Sequence, residues 1–455
     1  MTDRHFSQSR ELLFSLDEQP NALYTLIAAL AHLLAMIASI LAAPLLLASI
    51  LNLDSASTAY VINASLVVSG LATFIQVYRF GAVGSGLLAV QGTSFVFVSP
   101  MAYAASILPA GTPPHELMGT LLGTCAVGGF IVILASFYLD KFQRIITPTV
   151  TGTTIFLLGI TLLISALGNI SNSFDKVDSA FRGIIVLEAL ITVAIIALLS
   201  TSKQPWLRLI SMPAGLLIGT LVALLYNDLW QPVVASGEAI FLIVPLRFSL
   251  SFDPFILLLL LPIFLVSLTE SIGDITATSI VSEQPIKGPT YVRRLRGGVM
   301  ADGLNTIIAS CLGAFPNTTF SQNNAVIRIT RIASRRVGIA LAGLLIIFGS
   351  IPFVGLLFMQ IPSSVLYSAA SCLFVLIALT GFSVVRNNTG IGGIVVLSIA
   401  SLGAFLLQSI SGLLSDAEVS VPTYLTIILN FPVATGALIA IIADTVKRRV
   451  SVTEK

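Results

Sequence analysis

The sequence contains very little charge. Only 10% of its 455 residues are Asp, Glu, Lys or Arg, whereas 56% are hydrophobic. Soluble domains carry about 25% charged residues, so this chain has too few polar side chains to cover a surface that faces water. The mean hydropathy of +0.99 indicates the same. The composition therefore predicts an integral membrane protein.

Cysteine and histidine are also scarce, with three of each. Cys125, Cys311 and Cys372 lie in apolar runs without CxxC spacing, so neither a disulfide framework nor a zinc site is indicated. No Gly-Lys dipeptide occurs, which excludes the phosphate-binding loop of an ATP-driven pump. The net charge of +2 comes from residues in loops and forms no basic face for nucleic acid. We expect no metal, no cofactor and no nucleic-acid partner.

Apolar runs divide the chain into membrane spans, each of which needs about 20 residues. Two apolar stretches, 84–100 and 315–327, are interrupted by Gly, Pro, Thr, Ser or Asn. Twelve clear spans lie near 22–50, 59–79, 118–138, 145–168, 183–200, 209–226, 254–273, 297–314, 337–358, 362–382, 391–411 and 423–443.

The distribution of positive charge tests this topology, because cytoplasmic loops are enriched in Lys and Arg. The first 20 residues are polar and contain no signal-peptide core, so we place them in the cytoplasm. With fourteen crossings, twenty of the 23 Lys and Arg residues fall on the cytoplasmic side, and only Lys176, Arg182 and Arg247 fall outside. We therefore predict fourteen transmembrane segments with both termini in the cytoplasm.

The two interrupted stretches resemble each other. Residues 84–95 (GSGLLAVQGTSF) and 309–320 (ASCLGAFPNTTF) match at five of twelve positions, at an offset of 225 residues. They are the third and tenth of fourteen spans, which indicates a repeat of seven spans. Because seven is odd, the second copy is inverted, an arrangement typical of secondary transporters.

Irregular backbone at membrane depth is tolerated only where it is buried or lines a cavity. The β-branched and aromatic residues of 91–98 predict a short strand, and 315–320 can extend in the same way before a helix begins around Ser321. Two such strands can pair, and the helix after each would direct its partly positive N-terminus at the space between them. Two proline-kinked helices are the alternative.

A few ionisable residues lie within predicted spans, where each is a functional candidate. Glu270 and Asp274 lie one helical turn apart, and Asp302 lies in the next span. These three acids predict a polar cavity. His32 lies in the middle of the first span, where a packing role is equally open. Glu188 has no partner that the sequence names, and we interpret it as an interfacial or packing residue.

Three motifs resemble the nucleobase–ascorbate transporter family, and within it the bacterial xanthine and uric acid permeases. They are QGTSF at 91–95, ESIGDITATS at 270–279 and QNNAVIRITR at 322–331. The last resembles the family signature, with Gln322, Asn323, Thr330 and Arg331 in place. The signature glycine is replaced by Ala325, whose methyl group is expected to narrow the site or shift the helix, which leaves the substrate range open.

The resemblance implies an all-α membrane fold of two inverted seven-span repeats, with short antiparallel strands in spans 3 and 10. It implies a core domain built from 21–140 and 251–358, and a gate domain built from 141–250 and 359–445. Residues 1–20 and 446–455 would be cytoplasmic tails. It also implies alternating access by movement of core against gate, a homodimer, and a location in the bacterial inner membrane.

The resemblance also implies roles for single residues. Glu270 would bind purine N–H groups and Gln322 the opposite edge, near Ser94, Phe95 and Asn323. A carboxylate accepts two N–H bonds and an amide both donates and accepts, which suits a purine dione. Phe95 is equally suited to ring stacking and to core packing. Proton coupling is assigned to Asp274, Asp302 and His32, and signature or structural roles to Gln91, Thr93, Ala325, Thr330 and Arg331.

The predicted function is proton-coupled uptake of xanthine or uric acid by a transporter that is not an enzyme. A proton serves as coupling ion, although sodium is not excluded. Uracil or another nucleobase is the alternative cargo; the resemblance favours purines, since uracil carriers of the family tend to have an acid at the position of Gln322. An inorganic anion is disfavoured because Glu270 would repel it. No nucleophile or metal cluster supports a membrane enzyme.

Overall fold

The computed structural model describes residues 12–109, 111–139, 147–175, 182–226, 240–416 and 429–453. Predictions for the other residues, including most of the N-terminal tail and the start of the last predicted span, lie outside the described part. The first half contains α1 (Ala22–Ile50), α2 (Ser55–Tyr78), β1 (Gln91–Thr93), a 3₁₀ turn (Phe95–Phe97), α3 (Val98–Ile107), α4 (Pro114–Ser136), α5 (Pro148–Asp175), α6 (Arg182–Ser200), α7 (Pro205–Leu209) and α8 (Ser211–Tyr226). The second half contains α9 (Pro254–Val281), α10 (Pro289–Cys311), β2 (Asn317–Thr319), α11 (Gln322–Thr330), α12 (Arg335–Gly349), α13 (Pro352–Met359), α14 (Ser363–Asp416) and α15 (Pro432–Thr453).

Seven of the described helices are long and apolar enough to cross a membrane, and an eighth span results if α12 and α13 count as one. α14 has 54 residues, which would make a straight helix about 80 Å long, far more than the roughly 30 Å of bilayer hydrocarbon. Its backbone leaves the helical conformation at Gly390, where φ is 59° and ψ is −149°. The chain is therefore a mostly helical, multi-pass membrane protein.

The span predicted over 337–358 consists of two helices with a break between them. α12 ends at Gly349, α13 begins at Pro352, and the two helices are bent by 76° relative to each other. Pro352 has no backbone N–H, and its ring disfavours a helical conformation at the preceding residue. Ile351 accordingly is extended, with φ −93° and ψ 111°.

The paired strands are shorter than the sequence suggested. β1 pairs with β2 in antiparallel register, Gln91 opposite Thr319 and Thr93 opposite Asn317. The pairing continues for one backbone bond at each end, from Ser94 N to Pro316 O and from Phe320 N to Val90 O, both 2.9 Å. The prediction of a strand through residue 98 is wrong because the chain turns into a 3₁₀ turn at Phe95 and into α3 at Val98. Pro100 lies in the first turn of α3, where a missing N–H costs nothing.

α9 and α10 extend beyond the apolar runs that predicted them. α9 continues from the predicted end at 273 to Val281, and α10 begins at Pro289 rather than at 297. The added turns contain many polar residues, which an apolar-run criterion excludes. They remain helical because their buried side chains include polar residues with partners, such as Thr278, whose Oγ1 donates to Asn324 Oδ1 at 2.8 Å.

Close glycine contacts bring α10 against α4. A Cβ on Gly129 would lie 2.7 Å from Gly303 O, and one on Gly303 would lie 2.6 Å from Gly129 O. Small residues allow such backbone approach between membrane helices. Because Gly303 follows Asp302 directly, this contact fixes the position of the Asp302 backbone.

The described end of the N-terminal tail packs on the loop between α11 and α12. Leu12 and Leu16 are buried, and Leu13 N donates to Arg331 O at 2.8 Å. The Arg335 guanidinium lies 3.1 Å from Asp17 Oδ1. This end of the predicted tail therefore contacts the transmembrane helices.

Candidate functional site

Asp302 is the centre of a buried hydrogen-bond network. Its Oδ1 accepts from Gln76 Nε2 at 3.0 Å, and its Oδ2 accepts from the Ser271 hydroxyl and, at 3.4 Å, from Thr319 Oγ1. Asp302 is 4% exposed, and the network joins α2, α9, α10 and β2. Gln76 Nε2 also donates to Gly298 O at 3.0 Å. Asp302 is therefore fixed by its neighbours and not oriented freely in a cavity.

Sequence reasoning missed Gln76 and Ser271. Gln76 also accepts from Ser85 N at 2.8 Å, so it ties α2 to the chain that leads into β1. The available signal was an amide in an otherwise apolar span, which needs a partner when it is buried. Ser271 directly follows Glu270 and gave no signal of its own.

Glu270 and Asp274 lie on α9, beside Asp302. Both are half-buried, and Glu270 Oε2 is buried without a hydrogen-bond partner among the described residues. Asp274 is close enough to Glu270 and Asp302 to interact electrostatically with both. The structure thus brings together the three acids that the sequence singled out. In the described part of the chain no group of His, Cys, Asp and Glu is placed to hold a metal ion.

The strand pair presents polar side chains that have no partners in the described structure. They are buried, yet both amide atoms of Asn317 and the hydroxyls of Thr93 and Ser94 make no hydrogen bond there, whereas the Gln91 amide lies close enough to Asp302 to interact with its carboxyl group. Buried polar groups are normally paired, and leaving one unpaired costs about 1–3 kcal/mol. Such a concentration indicates a site for a polar ligand or for water.

α11 begins immediately after β2, and its first turn adds further polar groups. Ser321 makes no side-chain cap at its N-terminus. Asn323 is buried and donates to Leu88 O at 2.5 Å, whereas its Oδ1 has no partner among the described residues. His32 of α1 is fully buried, and its ring lies beside the Asn323 side chain. Gln322 is half-buried at the start of α11.

The other signature residues lie at the far end or on the outer face of α11. Thr330 Oγ1 donates to Val326 O at 2.9 Å and accepts from Ile332 N at 3.3 Å. Arg331 ends the helix in the left-handed region, with φ 60°. Ala325 is exposed, whereas Asn323 and Asn324 are buried, so its methyl group does not enter the core around the strands.

Phe95, which follows the strand β1, packs against α14. Its ring meets that of Phe374 on α14 edge to face, with centroids 5.6 Å apart, and the residue is 7% exposed. Of the two roles left open for Phe95, the described contacts are those of core packing.

Many apolar helices around paired strands with a buried polar cluster define a multi-pass membrane protein with a polar site in its interior. The fold matches the transmembrane domain of the cyanobacterial bicarbonate transporter BicA with a TM-score of 0.59, at 15% identity over 94% of this chain and 99% of that one. It matches the anion transporter SLC26A9 with a TM-score of 0.62, at 13% identity over 93% of this chain and 66% of that one.

Residues 23–400 match the model of a permease family. The chain is 35% identical to xanthine permease XanQ of Escherichia coli over 96% of this chain and 94% of XanQ. It is 34% identical to xanthine permease XanP of the same organism, over 97% of this chain and 95% of XanP. It is 31% identical to the uric acid-xanthine permease of Emericella nidulans, over 82% of this chain and 71% of that protein. The chain belongs to this permease family, as its motifs predicted.

Proposed function

We propose that the protein is a secondary transporter that takes up xanthine or uric acid together with a proton. Relatives named as xanthine and uric acid-xanthine permeases support the purine. The observation that carries the proposal is the set of buried polar groups, on the strand pair and at Glu270, that have no hydrogen-bond partner among the described residues. A small, polar, planar substrate would satisfy these groups, which otherwise leave their hydrogen-bonding capacity unused.

The substrate would bind between Glu270 and Gln322. The Glu270 carboxylate would accept two purine N–H bonds, and the Gln322 amide would both donate to and accept from the opposite edge. Ser94 and Asn323 would supply further hydrogen bonds at the strand pair and at the first turn of α11. Phe95 would support the ring from its packed position against Phe374. Gln91 and Thr93 would complete the polar lining from β1.

The proposed architecture is fourteen spans in two inverted repeats. The core domain would comprise 21–140 and 251–358, and the gate domain 141–250 and 359–445. The kink at Gly390 supports two separate gate spans within α14. Antiparallel pairing of β1 with β2 supports a symmetric relation between the third and tenth spans. Movement of the core against the gate would then expose the site alternately to each side.

A cavity next to α9 and α11 suggests the inward path. It has a volume of about 580 Å³ and is lined by Leu12, Ile280, Val281, Glu283, Ile327, Arg328 and Arg331. α9 carries Glu270 and α11 begins at Gln322, so both helices run from the proposed substrate site to this cavity. With both termini in the cytoplasm, the cavity would open there. A homodimer in the bacterial inner membrane completes the proposal.

Proton coupling would use Asp274, Asp302 and His32. A carboxyl group that meets the outer side in one state and the inner side in the other can bring a proton in with the substrate. One charge that moves inward across about 100 mV supplies about 2.3 kcal/mol, enough for about 40-fold accumulation. The network of Gln76, Ser271 and Thr319 would place Asp302 where its proton state changes the contacts between α9, α10 and β2.

Competition binding to the purified protein tests the substrate class. We expect unlabelled xanthine and uric acid to displace labelled xanthine, uracil to displace it at least about tenfold less well because it lacks the second ring, and sulfate not to displace it. Displacement by uracil more readily than by xanthine would instead identify a pyrimidine carrier. Displacement by sulfate alone would contradict a role for Glu270 in substrate binding.

A further inference from the structure

α6 buries one narrow face that contains an acid. Its buried side chains among those described are Ile185, Glu188, Thr192 and Ile196, whose spacing of three or four residues places them on one side of the helix. Glu188 is 1% exposed and lies about 9 Å along the helix from Arg182. An acid turned into the protein within a span is a functional candidate.

Glu188 has a partner that the sequence does not reveal. Ser364, at the start of α14, donates from Oγ to Glu188 Oε2 at 2.6 Å. Glu188 Oε1 is buried without a partner in the described structure, as is the hydroxyl of Ser368 one turn further along α14. Thr192 Oγ1 donates to the Glu188 carbonyl oxygen at 2.7 Å rather than to the carboxyl group. The carboxyl group thus has one donor for two oxygens.

Close helix packing closes this site. Gly215 and Gly219 of α8, four residues apart, face side chains of α6 and α14. A Cβ on Gly215 would collide with the Ile196 side chain, and one on Gly219 would lie 2.8 Å from Val365 Cγ1. This spacing of small residues lets membrane helices approach closely. Because Glu188 itself is only 1% exposed, a charged carboxylate at this position has little access to water.

No described cation balances Glu188. The elements packed against α6 are α5, α7, α8 and α14. Ser364 is the described polar group that acts on the carboxyl, and none of the other titratable groups of those elements does so within the described side chains. The described ones are Arg208 on α7 and Tyr367, Cys372 and Arg386 on α14, whereas the side chains of Asp175, Tyr226 and Asp416 lie outside the described part.

The site also adjoins the contact between the proposed gate and core. Ile196 of α6, Leu216 of α8, and Val365 and Ala369 of α14 form one apolar cluster with Ala38 of α1. Ser364, which bonds Glu188, directly precedes Val365. A change at Glu188 would therefore act on the helices that meet α1, a helix of the proposed core.

We propose that Glu188 and Ser364 form a proton-binding site in the gate domain, separate from the substrate site, whose proton keeps α6, α8 and α14 packed against α1. A neutral carboxyl group fits beside Ser364 in this closed space, whereas an unbalanced carboxylate favours separation of the helices and entry of water. The assignment to a gate and its effect on transport rest on the proposed function, but proton binding itself does not.

The pH dependence of substrate exchange tests the effect on the gate. In proteoliposomes with xanthine on both sides, we expect the exchange rate of the unmodified protein to fall by up to about tenfold per pH unit as Glu188 loses its proton. Glu188→Gln keeps the shape of the neutral acid, so its rate should stay constant through that step with an unchanged KM. Ser364→Ala should shift the midpoint of the step. Glu116→Gln, at an exposed acid in the first turn of α4, is the matched control and should leave the profile unchanged.

Infrared difference spectroscopy tests proton binding without any substrate. The spectrum of the unmodified protein in lipid minus that of Glu188→Gln should contain the carbonyl band of a protonated carboxyl group at pH values below the step in the exchange rate, and the band should vanish above it. Absence of this band at every pH where the protein is folded would overturn the proposal even if transport is normal. A pH step in the exchange rate that persists in Glu188→Gln would also overturn it.

Discussion

Glu270→Gln should weaken xanthine binding by about 100-fold, the largest effect expected from a single conservative change in the site. Each hydrogen bond to a charged group contributes about 1.5–3 kcal/mol, and about 1.4 kcal/mol is a factor of ten in affinity. The amide replaces one acceptor oxygen by a donor that opposes the second purine N–H. Equilibrium binding of labelled xanthine to the purified protein measures the effect.

Two further variants make that measurement specific. Glu116→Gln removes one formal charge from an exposed position and should bind xanthine normally. Glu270→Asp keeps the carboxylate but withdraws it by one methylene, so its binding should lie between those of Glu270→Gln and the unmodified protein. Unchanged affinity in Glu270→Gln, in a protein that is folded, would refute the placement of substrate at Glu270.

Asp302→Asn should separate proton coupling from substrate exchange. The amide introduced by this change keeps one acceptor for Gln76, so the contact between α2 and α10 should persist, but it cannot carry a proton. Accumulation across about 100 mV should therefore fall by about 40-fold, the contribution of one proton, whereas exchange of internal for external xanthine should continue. The accumulation ratio and the exchange rate can be measured in the same proteoliposome preparation.

A second buried aspartate provides the control for this change. Asp444 on α15 is 3% exposed and pairs with Arg448 at 3.1 Å and with Thr147 at 2.9 Å. Asp444→Asn alters a buried carboxyl away from the strands and should leave accumulation unchanged. If Asp302→Asn accumulates xanthine as well as Asp444→Asn does, Asp302 is not a coupling group.

The sequence revealed the broad architecture because lipid leaves a strong compositional signal. Apolar runs located most of the helices, and the interrupted stretches around Gln91 and Asn317 coincide with the paired strands. The length of an apolar run does not indicate the direction of the helix axis, however. The bend of 76° between α12 and α13 was therefore missed, although Pro352 is present in the sequence. The ends of α9 and α10 were missed because their partnered polar residues resemble loop residues.

The candidate site was only partly accessible from the sequence. Carboxyl groups such as Glu270 and Asp302 are conspicuous in an apolar chain, since burying them is costly. Their uncharged partners are not conspicuous, because Ser and Gln occur in many spans without a special role. Gln76 lies 226 residues from Asp302 and Ser364 lies 176 from Glu188, and local patterns do not reveal pairing at that separation.

Uptake of labelled xanthine into proteoliposomes that contain the purified, unmodified protein tests the central claim most directly. Under an inward proton gradient we expect xanthine to accumulate above its external concentration, uric acid to compete, and a protonophore to release the accumulated substrate. Uptake no greater than that of protein-free liposomes would contradict purine transport. Accumulation that survives the protonophore and follows a sodium gradient would contradict the proton as coupling ion.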